Sequence, residues 1–120
     1  MAKFENDSED RKHRRDFNDL LVDAIDETLS EVLGHRVNQA FWYHFQAFLG
    51  INRDEMPHHL DTLFTALNTV FGVGGETLGR GIVRKLYAKG NVPLNYTAGR
   101  PLLEYVEELK QILTKDFMQP

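Results

Sequence analysis

The sequence predicts an all-α protein, a single compact orthogonal bundle of about five helices. Three observations carry this. Apolar residues recur at the i, i+3, i+4, i+7 spacing of a helical face in one segment after another. No segment alternates apolar and polar residues as a half-buried strand does. Glycine or proline stands wherever a periodic run stops. A chain of 120 residues, 42% hydrophobic and 27% charged, has the size and composition of one domain with its own core.

Residues 1–15 hold an acidic block (Glu5, Asp7, Glu9, Asp10) and then RKHRR, and read as a polar, disordered tail. The core domain is expected over 16–90. Its first helix carries Phe17, Leu20, Leu21, Ala24, Ile25, Thr28, Leu29, Val32 and Leu33 on one stripe. Asp16 caps its start, and Gly34 ends it in the left-handed conformation. The second helix runs from about Val37 to Leu49 and stops at Gly50. In NRDEMP, Asn52 and Glu55 have capping-box spacing, and Pro57 limits the segment to a short turn. A third helix places Leu60, Leu63, Phe64, Leu67, Val70 and Phe71 on one face and ends at Gly72.

GVGGETLGRG lacks the Gly-Lys-Ser/Thr ending and the preceding strand of a phosphate loop. It reads as a helix junction, with Gly74 and Gly75 forming a tight turn and Gly79 admitting another backbone. The fourth helix continues through Ile82, Leu86 and Tyr87 to Gly90. Residues 91–100 are a connector. The fifth helix spans 101–117, with Pro101 in its first turn and Leu102, Val106, Leu109, Ile112 and Leu113 as its stripe. A helix of that length needs a surface, either the first four helices or the same helix of a second copy in a homodimer.

The segment AFWYHFQAFL (40–49) concentrates the aromatics. At 100° per residue, with Phe41 at zero, Phe48 falls near 340° and Phe45 near 40°, so the three form roughly one stripe. They are expected in the core, on a helix at the centre of the bundle. Leu29/Leu33, Phe64/Phe71 and Ile82/Leu86 are expected to pack around it. Trp42 is expected half-buried, Tyr43 falls nearly opposite the stripe, and His44 lies at its edge. The fourth helix offers the other candidate surface. Arg80 and Arg84 pair at i, i+4 beside Tyr87, and Lys85 and Lys89 pair on the opposite shoulder. The candidate binding residues are therefore Arg80, Arg84, Tyr87, Tyr43 and Trp42.

No catalytic residue, cofactor site or metal site is assigned. Adjacent His58 and His59 point about 100° apart on a helix and share one ion poorly. The only serines are Ser8 and Ser30, and there are no cysteines, so thiolate zinc sites and thiol nucleophiles are excluded. The formal charge of −4 argues against wholesale binding to nucleic acid or anionic membrane. No apolar run approaches the roughly 20 residues of a membrane span, and the N-terminal residues have no apolar stretch of a secretory signal. The expectation is a cytoplasmic protein.

The order DAIDETLSEVLG, the aromatic helix with Tyr43-His44, GINRDEMP, LFTALNTVFGVGGETL and IVRKLYAK resembles the Nitrosopumilus output domain family over about residues 17–90. The resemblance implies a small archaeal all-helical domain of signal-transduction contexts, with an output or interaction role and no catalytic residues to transfer. The charged N-terminal residues, the connector and the fifth helix depart from the pattern. The reading is a non-enzymatic protein-interaction module that docks a protein partner through the basic-aromatic face of the fourth helix. The alternative is a small helical nucleic-acid binder using RKHRR and the same helix.

Overall fold

The computed structural model describes residues 16–118, with side chains to residue 114; the expectations for the tail and for RKHRR fall outside the described residues. Five α-helices and one 3-10 turn account for most of the described residues, and none of these is in a strand. They are α1 (Phe17–Leu33), α2 (His35–His44, continued by a π-wound turn, Phe45–Leu49), the 3-10 turn Arg53–His58, α3 (Leu60–Phe71), α4 (Val73–Lys89) and α5 (Leu102–Met118).

At the centre lie α1 and α4, not the aromatic helix. Leu21, Ala24, Ile25 and Leu29 of α1 are fully buried, as are Ile82, Val83 and Leu86 of α4. Gly81 lets the two helices close, since a Cβ there would stand 3.1 Å from Thr28 Cγ2. Lys89 and Lys85 of α4 reach Glu27 and Glu31 of α1, which makes the pair antiparallel. Asp16 caps α1 as expected, its carboxylate accepting from the Asp19 N–H at 3.0 Å.

Gly34 departs from expectation. Its φ is positive, at 93°, but its ψ of 159° is extended rather than left-handed. One residue thus turns the chain, and α2 begins at His35, two residues earlier than the hydrophobic pattern indicates. α2 ends as expected at Gly50, which is left-handed (φ 68°, ψ 19°). The capping box of Asn52 and Glu55 is formed, and Pro57 sits within the 3-10 turn.

The α3–α4 junction also differs from the expected tight turn. Gly72 alone separates the helices, with φ at 59°, and Gly74 and Gly75 are already inside α4. Gly75 lies against α3: a Cβ there would enter the Leu67 carbonyl and stand 2.7 Å from the Asn68 nitrogen. Gly79 admits side chains rather than backbone, with Leu102 Cδ1 2.6 Å from where its Cβ would be. The helix α5 packs on α4 of the same chain, burying Tyr105, Val106 and Leu109. Pairing two copies through the 101–117 stripe would require displacing it.

The two helix-start glycines predict opposite outcomes. Gly75→Ala forces backbone apart and should cost about 3 kcal/mol. Gly74→Ala meets only Phe71 Cβ at 3.8 Å, and should be neutral or stabilise by about 0.5–1 kcal/mol. Urea denaturation followed by circular dichroism measures both.

Candidate functional site

The aromatic helix α2 is held by one carboxylate. Asp26 of α1 accepts from Asn38 Nδ2 at 2.8 Å and from the Trp42 indole N–H at 3.2 Å. Its other oxygen pairs with Arg53 Nη2 at 3.0 Å, and the Arg53 guanidinium lies 5.0 Å over the Trp42 ring. One side chain therefore ties α1, α2 and the 3-10 turn together. Partial burial pushes the Asp26 carboxyl up, but the hydrogen bonds from Asn38, Arg53 and Trp42 and the arginine charge outweigh it. The net result is below the ordinary 3.8.

Asn38 and Trp42 turn toward α1, and another face of α2 meets the C-terminal half of α3. Between them runs an apolar trough of about 410 Å³. Val37, Ala40, Phe41, Phe45, Phe48 and Leu49 form one wall, and Ala66, Val70 and Phe71 the other; His44 is the one lining residue that is not apolar. Phe41 bridges the floor, 4.9 Å from the Phe45 ring and 6.5 Å from the Phe71 ring.

The expected phenylalanine stripe is thus divided. Phe45 is buried and Phe41 half-buried, but Phe48 is 72% exposed, with the His44 ring edge-on at 4.7 Å. Two causes separate it from its neighbours. The π-wound turn is wider than an α turn, so the 100° wheel misplaces residues 45–49 relative to one another. The helix also lies at the edge of the bundle, where no other described element covers its last turn. Leu49 (56%), Val70 (64%) and Val37 are exposed beside it.

The residues expected to form one basic-aromatic surface are not brought together. Tyr87 is a core residue, 2% exposed, and its hydroxyl donates to the Tyr105 carbonyl at 2.7 Å. The wheel places it beside Arg84, but α5 covers that side of α4. Arg80 pairs with Glu76 at 2.9 Å, while Lys85 and Lys89 are taken by Glu31 and Glu27. Among the described residues, Arg84 is the α4 cation with no ion pair. Trp42 is half-buried in the Asp26 cluster, and Tyr43 is 68% exposed but lines neither groove.

Arg80 and Arg84 instead line a second, polar groove with Tyr96, Arg100 and Tyr105, between α3, α4 and the connector. The connector is strapped there. Tyr105 Oη accepts from the Thr97 N–H at 2.7 Å and donates back to the Thr97 carbonyl at 3.2 Å. Tyr96 Oη donates to the Arg80 carbonyl at 3.1 Å, and Arg100 is held by Glu104 and Glu108. The groove has a volume of about 940 Å³, and most of its cations and its tyrosine hydroxyls are engaged within the chain.

Fold and site together define a small all-α bundle with an exposed apolar trough. No group of three or more His, Cys, Asp or Glu among the described residues is placed to hold a metal ion, and none of their helices is long and apolar enough to cross a membrane. Family models, curated proteins and solved structures contain no match to this chain.

Sequence reasoning missed Phe48, Leu49, Val70 and Val37 as surface residues, because helical periodicity cannot tell a covered stripe from an uncovered one. One signal was present. Residues 32–53 and 62–75 contain no Asp or Glu, although the chain has 18.

Replacing the carboxylate tests the tie on α2. Asp26→Asn should destabilise the fold by about 1–3 kcal/mol and shift Trp42 fluorescence. Because the folded carboxyl titrates below its ordinary value, its stabilisation is present above about pH 4 and is lost as pH falls through the folded value. Asp26→Asn should remove that part of the acid-side loss in a denaturation series from about pH 5 down to about pH 2.

Proposed function

We propose that this chain is a protein-interaction module whose docking surface is the α2–α3 trough. The observation that carries the reading is the exposure of Phe48, Leu49 and Val70 along one continuous apolar channel. Soluble domains seldom leave contiguous apolar surface open without a use, and central apolar anchors dominate docking energies. The π-wound turn points the same way, since such turns collect at functional positions. The output or interaction role implied by the resemblance to the Nitrosopumilus output domain family agrees with it.

The α4 face becomes the weaker docking surface, with Tyr87 inside the core and three of four cations in ion pairs. The same pairing works against α4 as a nucleic-acid surface, where phosphate contacts require cations free to replace counterions.

The full chain as bait separates the surfaces. Phe48→Ser changes a solvent-exposed side chain and should leave the fold intact. A protein retained by the wild type should fall more than about tenfold with Phe48→Ser, the scale of losing one apolar anchor. Arg80→Glu with Arg84→Glu should retain it. Equal retention by Phe48→Ser, with loss on the double charge reversal, returns the docking surface to α4.

A further inference from the structure

The polar groove between α3, α4 and the connector keeps two opposite charges that the fold does not pair. Of the charged residues lining it, Arg80 pairs with Glu76, and Arg100 pairs with Glu104 and Glu108. That leaves Arg84 on α4 and Asp61 on α3, neither of them in an ion pair among the described residues. Asp61 accepts from the adjacent Thr62 N–H at 2.8 Å through one of its two oxygens.

The α3–α4 hairpin sets these two residues at the same level. Gly75 lies against Leu67 and Gly79 against Phe64, so contacts that advance along α4 retreat along α3. One more turn of that ladder brings 83–84 level with 60–61. Packed helix axes lie about 8–10 Å apart, and an ion pair needs its nitrogen and oxygen within about 4 Å. Asp61 and Arg84 therefore line one groove from two helices without closing on each other.

One turn from Asp61 the groove becomes apolar. Phe64 and Leu102 meet over Gly79, where an added Cβ would stand 3.4 Å from one and 2.6 Å from the other. Tyr96 adds a half-exposed ring, fixed by its hydroxyl on the Arg80 carbonyl and by an edge-on contact with Tyr105 at 5.4 Å. A volume of about 940 Å³ with an apolar part and a few polar groups has the size and character of a small-molecule site.

The two unpaired charges select the ligand. A simple anion gains from Arg84 but is opposed by Asp61, and a simple cation meets the reverse. A phosphate brings up to two negative charges to a groove with one unpaired cation. A ligand with one carboxylate and one ammonium answers both residues, and a guanidinium takes a carboxylate through two parallel hydrogen bonds.

We infer that this groove binds a small zwitterion with an apolar side chain, a free amino acid or a short peptide. Its carboxylate lies on Arg84, its ammonium on Asp61, and its side chain over Phe64 and Leu102. The site is separate from the α2–α3 trough, and neither reading depends on the other.

Leucine and the dipeptide Leu-Leu are titrated into the full chain, each also as its N-acetyl and its C-terminal amide form, with amide chemical-shift mapping. The free form should bind at least about tenfold more tightly than either blocked form, the scale of losing one charged hydrogen bond. Its shifts should map to 61–68, 76–84 and 96–105. Arg84→Gln and Asp61→Asn change exposed side chains that take part in no ion pair, so both variants should stay folded. Arg84→Gln should weaken the free form about tenfold and leave the amide form unchanged, and Asp61→Asn should weaken the free form and leave the N-acetyl form unchanged. Tighter binding of the dipeptide makes the ligand a short peptide, and equal or tighter binding of leucine makes it a free amino acid; both uphold the site. Equal binding of free and blocked forms, shifts confined to other amides, or no binding of any form at millimolar concentration overturns the inference.

Discussion

The contact between Gly75 and the Leu67 carbonyl governs how this bundle is arranged. Because α4 begins one residue after α3 ends, the two helices leave Gly72 already in contact, and only a residue without a side chain fits at that elbow. The elbow fixes the rotation of α3. Leu63 and Leu67 face the core, which leaves Ala66, Val70 and Phe71 directed away from α4. Any side chain at position 75 would part the helices and turn that apolar edge, so the channel wall depends on a residue outside the channel.

The opposite wall is fixed by different chemistry. α2 has a thin apolar connection to the core, with Phe45 as its one buried aromatic, and the Asp26 cluster supplies the rest. A partly exposed carboxylate that accepts from an amide and an indole and pairs with a guanidinium is stronger than a surface ion pair, because its hydrogen bonds are directional and mutually supporting. The buried amide side chain of Asn38 is oriented by it. One wall is therefore set by steric closeness and the other by a polar tie, and the channel is what remains between two helices pinned independently to α4 and α1. Its floor is Phe41, Phe45 and Phe71, and its rim of Phe48, Leu49 and Val70 is exposed.

Much of this was legible in the sequence, for reasons that are local. Asp16, the Asn52/Glu55 box, Pro57, Gly50 and Gly72 act within a few residues of themselves, so the ends of α1, α2, α3 and the 3-10 turn follow from them. The buried faces of α1 and α4 follow from periodicity. What periodicity does not carry is which helix lies at the centre. Tyr87 and Phe48 exchange their expected places for that reason: α5 folds over the Tyr87 side of α4, and no described element folds over Phe48 in the last turn of α2. Gly75 reads as a turn residue because close approach and tight turning use the same amino acid. The absence of carboxylates along α2 and along α3 beyond Asp61 was equally open to reading, but its meaning depends on both helices lining one trough.

Charge placement in the folded chain also explains why the expected basic face loses force. A helix with four cations looks like a receptor when read alone. In the bundle, Lys85 and Lys89 close the antiparallel α1–α4 pair across Glu31 and Glu27, and Arg80 answers Glu76 one turn earlier. Each pair is individually worth little at the surface, but together they consume the side chains that would otherwise reach a partner. Glu27 and Glu31 of α1 are spent on the same pairs. The consequence is a division of the surface: charged residues of both signs pair around α1, α4 and α5, while the α2–α3 trough is lined, among the described residues, by no Asp, Glu, Lys or Arg. Recognition by apolar contact requires a region free of tightly hydrated charges, and this side of the bundle is where the fold leaves one.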